Sequence, residues 1–310
     1  MNDPNRRELL RLLGVGGVVF ASGLSGPAAA ARRKSAPDDQ SFFFLQISDT
    51  HWGYSGPANP RADVTLPRVV ETINATAAKP DFVVFTGDLT HNTADAADRR
   101  KRLAEFGRMS AALKVPQVRL IPGEHDAAAD RGAAFREAFG PTHYAFDHKG
   151  VHFVALDNVS DPEGAVGDAQ LDWLAADLKA VPRDAPVVVL AHRPLFELYA
   201  PWDWTTRDGA KVIDALLGHR HVTVFYGHIH QENHHQTQHI AHHAARSLMF
   251  PLPAPGGSSK KAPLAWDEAR PWQGLGYRRI DEPAVGLTEL AIKPAGEATR
   301  EPKGPDRSGG

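Results

Sequence analysis

The chain of 310 residues contains no cysteine. That absence excludes disulfide scaffolds, thiolate metal sites and cysteine nucleophiles together. An excess of one charge sign is missing too: 35 Lys and Arg stand against 37 Asp and Glu, a net charge of −2. A nucleic-acid-coating surface needs a strong basic excess to displace counterions, so that class is set aside. The apolar, Gly-rich stretch Leu12–Leu24 is shorter than the roughly 20 residues that a membrane-crossing helix needs, so no stable transmembrane span is expected. What the chain does hold is 16 histidines, in a composition otherwise ordinary for a globular protein, 42% hydrophobic and 23% charged.

The apolar stretch follows Arg6-Arg7 and leads into Pro27-Ala28-Ala29-Ala30-Ala31, small residues suited to signal-peptidase cleavage. Paired arginines before a mildly apolar run resemble a twin-arginine export signal. Residues 1–31 are therefore read as a signal peptide, the twin-arginine machinery as a partner, and the protein as exported, periplasmic or secreted. A retained basic amphipathic anchor is the alternative. Residues 32–41 read as a polar linker, 42–293 as one folded domain, and 294–310, polar and rich in Pro and Gly, as a disordered tail.

Within the domain one local pattern recurs. Phe42–Ile47 runs into Ser48-Asp49-Thr50-His51, and Phe82–Phe85 into Thr86-Gly87-Asp88. Val118–Ile121 runs into Pro122-Gly123-Glu124-His125-Asp126, Val187–Leu190 into Ala191-His192-Arg193, and Val222–Phe225 into Tyr226-Gly227-His228-Ile229-His230. Short β-branched and aromatic runs bounded by Gly or Pro read as buried strands. Helical spacing of apolar residues marks Thr65–Ala78, Asp95–Leu113, Asp168–Ala180 and Asp208–Leu217, with Asp168 expected to cap its helix. His143–Phe146 with Val151–Leu156, and Gly276–Ile280 with Gly286–Ile292, read as antiparallel pairs, and Pro251–Pro271 as a long surface loop. Alternating strands and helices predict an α/β layered fold that binds its ligand at the carboxyl ends of the strands.

Imidazole and carboxylate together suit divalent zinc, iron or manganese. One ion needs three or four protein ligands; the five strand tips offer enough for two. Two ions about 3.5–4 Å apart can clamp a phosphate for in-line attack. Asp88, alone on its tip, is the candidate bridge between them. His125 followed by Asp126 supplies a histidine outside the metal set and a carboxylate able to orient it, so both are read as catalytic. A lone histidine on a strand end is more often structural than ligating; the weight lies in all five tips together.

Asp49-x-His51, Gly87-Asp88, Gly123-x-His125-Asp126, His192 and Gly227-His228-x-His230, in that order, resemble the calcineurin-like metallophosphoesterases. The likeness covers roughly residues 42–250, and Gln170–Leu174 shares it. It implies an α/β/β/α sandwich of two mixed β-sheets flanked by helices, with a dinuclear metal site at strand C-terminal ends. One ion would be held by Asp49, His51, Asp88 and His230, the second by Asp88, Glu124, His192 and His228. It further implies hydrolysis of a phosphomonoester or phosphodiester, of a small molecule or a lipid, by hydroxide held between the ions, with His125 assisting the leaving group. Leu89, Thr90 and His91 offer no tyrosine ligand of the purple acid phosphatase kind.

The resembled pattern has Asn where this chain has Glu124. A carboxylate there should hold the second ion more tightly, favour hard ions and lower the positive charge facing a phosphate. The alternative function is thus an exported metal-binding or metal-sensing protein with a phosphoesterase-like site weakened by Glu124; a structural or interaction protein on the same fold is a third. His234, His235, His239, His242 and His243 read as a solvated strand with its polar face outward, an auxiliary metal site being the alternative. His91 and His152 read as structural. A substrate rim is expected from Tyr54, Phe196–Trp204 and the loop around Trp266 and Trp272.

Overall fold

The computed structural model describes residues 41–282 and 286–291. The expected signal peptide, nearly all of the linker and the C-terminal tail lie outside the described residues. No helix among the described residues is long and apolar enough to cross a membrane.

The strands are β1 (Phe42–Ile47), β2 (Phe82–Thr86), β3 (Val118–Ile121), β4 (Tyr144–His148), β5 (Val151–Ala155), β6 (Pro186–Leu190), β7 (His221–Tyr226), β8 (Asn233–Thr237), β9 (Ile240–Ala244), β10 (Gly276–Glu282) and β11 (Gly286–Ala291). The helices are α1 (Ala62–Ala75), α2 (Ala96–Ala111), α3 (Glu124–Ala127), α4 (Ala133–Phe139), α5 (Asp168–Leu178) and α6 (Gly209–Leu216). One sheet has the order β11-β10-β1-β2-β3 and the other β4-β5-β6-β7-β9-β8. β1, β2 and β3 pair parallel, as do β5, β6, β7 and β9, while β10 and β4 join antiparallel at the flanks.

The side-chain period of two sorts each strand between two cores. Phe42, Phe44, Phe82 and Val84 point between the sheets, where they meet Phe153, Val188, Leu190 and Phe225. Their neighbours Leu45, Ile47, Val83 and Phe85 point the other way, onto Leu66, Val69, Ile73 and Phe106 of α1 and α2. Leu174, Leu178, Val212 and Leu216 cover the outer face of the second sheet. Helix, sheet, sheet, helix is the layering that the family resemblance implies. Covered on both faces, the central parallel strands read as apolar runs, and β1, β2, β3, β6 and β7 turn their carboxyl ends toward one edge of the sandwich.

Three local expectations are corrected. The histidine-rich segment is an antiparallel hairpin, β8 and β9, turning at Gln238 with φ of 55°. β9 lies inside the sheet between β7 and β8, so His242 and His243 are buried, at 0% and 9% exposure, and only the β8 face is solvated. Asp168 begins α5 without capping it; the Asp208 carboxylate instead accepts from the backbone N–H of Val166 and Gly167 at 2.8 and 2.9 Å. The rim aromatics divide as well: Trp202, Trp204 and Trp272 are core residues. Tyr54 packs 5.1 Å from the His91 ring, beside the site.

Candidate metal centre

The five tips are laced to one another before any side chain is considered. The backbone N–H of Asp49 donates to Gly87 O at 3.0 Å, that of His51 to Asp88 O at 2.9 Å, and that of Gly227 to His192 O at 3.0 Å. Asp49, His51, Asp88, His228 and His230 all adopt positive φ, between 41° and 67°. Non-glycine residues seldom do so, and a cluster of them at one sheet edge is backbone strain held in place by its surroundings. Gly87, at φ of 93°, and Gly227 admit no side chain: a Cβ on the first would strike the His192 imidazole, and one on the second Ser48 Oγ and the Asp49 carboxylate. These glycines let the tips close on each other.

The ligating atoms fall into overlapping groups: Asp49, His51, Asp88 and His230, fully buried; Glu124, His192 and His228, with Glu124 partly open; and two that include His125, one with Asp88 and Glu124 and one with His51 and His91. His51 Nε2 lies 3.0 Å from His230 Nε2, and His230 Nε2 lies 3.3 Å from Asp49 Oδ1. His192 Nε2 is 2.8 Å from Glu124 Oε2, and His228 Nδ1 is 2.9 Å from Glu124 Oε1. Asp88 Oδ2 stands between the groups, 3.6 Å from His51 Nε2 and 3.4 Å from His192 Nε2.

The residues present fit a pair of divalent cations. His192 Nε2 is buried and makes no hydrogen bond, although carboxylate oxygens of Asp88 and Glu124 crowd it. A buried ring nitrogen converging with carboxylates, unbonded, is the donor set of a cation site. Its other nitrogen donates to Thr86 O at 2.7 Å, as His230 Nδ1 donates to Phe250 O at 2.7 Å. Such carbonyl partners fix the tautomer that leaves Nε2 free to ligate. Electrostatics agree. Burial opposes charge on Asp88 and Glu124, yet the surrounding imidazoles hold both carboxyls below their usual range. Burial likewise opposes a proton on His192, and those two carboxylates draw one there regardless. Burial, with the His125, His230 and His91 imidazoles adding to it, keeps His51 low against the Asp88 charge, and burial, with Lys261 adding to it, holds His228 at about 4. Carboxylates that draw a proton onto His192, beside His51 and His228 kept neutral, make a cluster in want of positive charge.

His125 stands at the opening, its side chain 23% exposed, with Nε2 3.8 Å from Asp88 Oδ2. Its Nδ1 accepts the N–H of Asn92 at 3.1 Å, which leaves the ring proton on Nε2, toward the centre. A cavity of about 410 Å³ begins here, bounded by Asn92, Thr93, Glu124, His125 and Arg193. The structure thus gathers Asp49, His51, Asp88, Glu124, His192, His228 and His230 into one centre with His125 at its edge.

Asp126 is a correction. Expected as a partner of His125, it has a buried carboxylate fully engaged elsewhere. It accepts from the N–H groups of Leu89, Thr90 and Gly123 and from Thr90 Oγ1, at 2.8 to 2.9 Å. Burial and the nearby Asp88 charge push it up to about 6, against those backbone donors. Asp126 ties the β2 tip to the β3 tip. His91 moves the other way. Filed as structural, it lies with Nδ1 3.4 Å from His51 Nδ1, grouped with His51 and His125. The signal that could have found it is its place on the Asp88 tip. His152 remains structural, bonded to Asp147 and Asp177 at 2.8 Å each. Lys261, 3.4 Å from His228 Nε2, comes from the Pro251–Pro271 loop, where nothing in the linear pattern marks it.

Comparison with known proteins places these observations. The sequence pattern of a family described as calcineurin-like phosphoesterase matches residues 44–232. The chain is 30% identical over 208 residues to a probable cyclic nucleotide phosphodiesterase of Rhodococcus erythropolis, covering 61% of this chain and 64% of that protein. It is 29% identical over 196 residues to the 3',5'-cyclic adenosine monophosphate phosphodiesterase of Escherichia coli K12, covering 61% and 69%. Against a cAMP/cGMP dual specificity phosphodiesterase of Mycobacterium tuberculosis it is 31% identical over half of each chain. The chain therefore spans under two thirds of the first and third of these relatives. In fold it is similar to a dimetal phosphatase from Danio rerio, with a TM-score of 0.58 at 16% identity, covering 81% of this chain and 99% of that one.

Proposed function

The chain belongs to the calcineurin-like phosphoesterases, and from that premise we propose that it is a metal-dependent phosphoesterase acting on phosphodiesters. The observation that carries the reading is the position of Asp88. One carboxylate oxygen reaches both ligand groups, and the His125 ring stands 3.8 Å from it at the cavity mouth. Asp49, His51, Asp88 and His230 would hold one ion, and Asp88, Glu124, His192 and His228 the other; iron, manganese or zinc suits the mixed oxygen and nitrogen donors. Bound there, the ions supply neutralisation of the phosphoryl oxygens and a lowered pKa for the attacking water.

The remaining work falls to the chain's own groups. The tips, tied by backbone hydrogen bonds and by Asp126, keep the ligands fixed, so no reorganisation accompanies reaction. His125 offers its Nε2 proton toward the cavity, where an ester oxygen departs. The relatives named as cyclic nucleotide phosphodiesterases make a diester the first substrate class to try. Export through the twin-arginine route belongs to the same proposal and rests on Arg6-Arg7 and the apolar run that follows.

The test is metal analysis and turnover of a chromogenic phosphodiester on one sample of the full chain. About two equivalents of metal, with turnover lost in His125→Ala at unchanged metal content, supports the proposal. Two tightly held metals with no turnover on any phosphoester would move the reading to a metal-binding protein. Replacing Arg6-Arg7 by Lys-Lys and finding unchanged fractionation would sink the export reading.

A further inference from the structure

Next to His192 on the β6 tip stands Arg193, 9% exposed and on the wall of the cavity that begins at His125. Its Nη1 donates to Asp203 Oδ2 at 2.7 Å, whereas its Nε is buried and makes no hydrogen bond. Glu124 Oε2 lies 3.9 Å from that Nε, beyond hydrogen-bonding reach. Both Glu124 oxygens are turned to imidazoles instead, Oε2 2.8 Å from His192 Nε2 and Oε1 2.9 Å from His228 Nδ1. A guanidinium keeps its protons in a protein, so the Nε–H is a permanent donor with no tautomer to choose. A buried cationic donor without an acceptor, on the wall of a cavity, describes a place for an anionic oxygen.

The donor is held in place from three sides. Asn158 Oδ1 accepts the backbone N–H groups of His192 at 3.2 Å and of Arg193 at 3.3 Å, while Asn158 Nδ2 donates to Arg193 O at 2.9 Å. Asp203 fixes the far end of the guanidinium from the Phe196–Trp204 segment. Gly164, at φ of 70°, leaves room for it: a Cβ there would lie 2.7 Å from Arg193 Nη1. A side chain fixed in this way loses little freedom when it meets a ligand. Nor does Asp203 exhaust its charge, because the Asp203 side chain is 65% exposed and water screens that pair.

Charge gives the arrangement its purpose. Glu124 brings a full negative charge to a position where the resembled pattern has a neutral amide, and that charge repels a phosphate. Arg193 sets a positive charge beside it on the same cavity wall. We propose that Arg193 binds a non-bridging oxygen of the substrate phosphoryl group through its Nε–H, with Asp203 as the residue that orients it. The proposal rests on the phosphoesterase reading above and adds a substrate-binding residue to that site.

Calorimetric titration of inorganic phosphate into the metal-loaded full chain tests it, with metal content and urea unfolding measured on each variant. Arg193→Gln should weaken phosphate binding at least about 10-fold at unchanged metal content, the loss of a charge-assisted hydrogen bond. Arg193→Lys keeps the charge without the planar fork and should lose part of that affinity; it stands in for the Gln variant if that chain fails to fold. Asp203→Asn, at the exposed rim, should weaken binding by a smaller factor, and an unchanged affinity there would strike its orienting role. Wild-type phosphate affinity in the folded Arg193 variants would overturn the proposal and leave Arg193 a strut between tip and rim. Loss of metal in those variants, or no phosphate binding by the wild type, would overturn it as well. Phosphodiester turnover is followed separately. Its absence from the wild type would strike the phosphoesterase reading while the phosphate titration still reports on Arg193.

Discussion

Among the described residues two regions are dense in histidine, and only one brings ligating side chains together in groups of three or more. At the strand tips, imidazoles alternate with Asp49, Asp88 and Glu124, and ligating atoms converge in groups. In the β8–β9 hairpin, His234 faces His243 and His235 faces His242 across the ladder. There the company is Phe196, stacked 3.8 Å from His235, and the buried Arg278 guanidinium, which lowers the His243 pKa. Neither nitrogen of His242 finds a partner. The hairpin yields no group of three ligating side chains among the described residues. Carboxylates on backbone bent into the left-handed region, not histidine content, distinguish the centre.

The contrast can be attacked from its strongest point downward. Asp88→Asn removes the one carboxylate that both ligand groups share; phosphodiester turnover should fall on the order of 10³-fold, with at least one metal equivalent lost. His125→Ala should lower turnover about 10²-fold at full metal content, which separates proton donation from ligation. Asp126→Asn leaves buried N–H groups without their acceptor. It should cost about 1–3 kcal/mol in urea unfolding, with activity falling only through tip disorder.

The hairpin supplies the smaller effects. Burial holds His242 at about 4, and burial with Arg278, His234 and His242 holds His243 at about 3. Their folded-state pKa values lie below the unfolded value near 6.5, so the unfolded chain binds more protons in between. Stability present above about pH 6.5 is lost as pH falls toward about 4. His242→Leu should flatten that slope in urea titrations at stepped pH. Last, His234→Ala, on the exposed strand, should leave metal content unchanged; loss of a metal equivalent there would erase the contrast between the two regions.

Sequence alone carries far into the first region and little into the second, for a physical reason. The strands leading to Asp49, Asp88, His192 and His228 are largely buried, so their apolar runs stand out, and the ligands follow directly at the tips. Glu124 is visible as a departure because its neighbours keep their spacing. Hidden from the linear pattern are facts set by non-local packing. Asp126 sits beside His125 in sequence yet serves the Asp88 tip. Lys261 reaches His228 from a structureless loop. β9 is interior because it slots between β7 and β8, which no alternation of residues within β9 announces.

The register of β1 carries a consequence for how the molecule comes into being. The strand that leads to Asp49 and His51 is flanked on one side by β10, with Phe42 opposite Glu282 and Gln46 opposite Arg278. A chain emerging from the ribosome has presented every ligand of the centre by His230, while the neighbour that closes the edge of β1 is still unsynthesised. Until then β1 offers a bare row of amide groups, a template for the wrong partner as readily as the right one. Closing it pairs strands far apart in sequence, a slow kind of contact to find. Truncations that remove β10 should leave chains that still capture metal and aggregate.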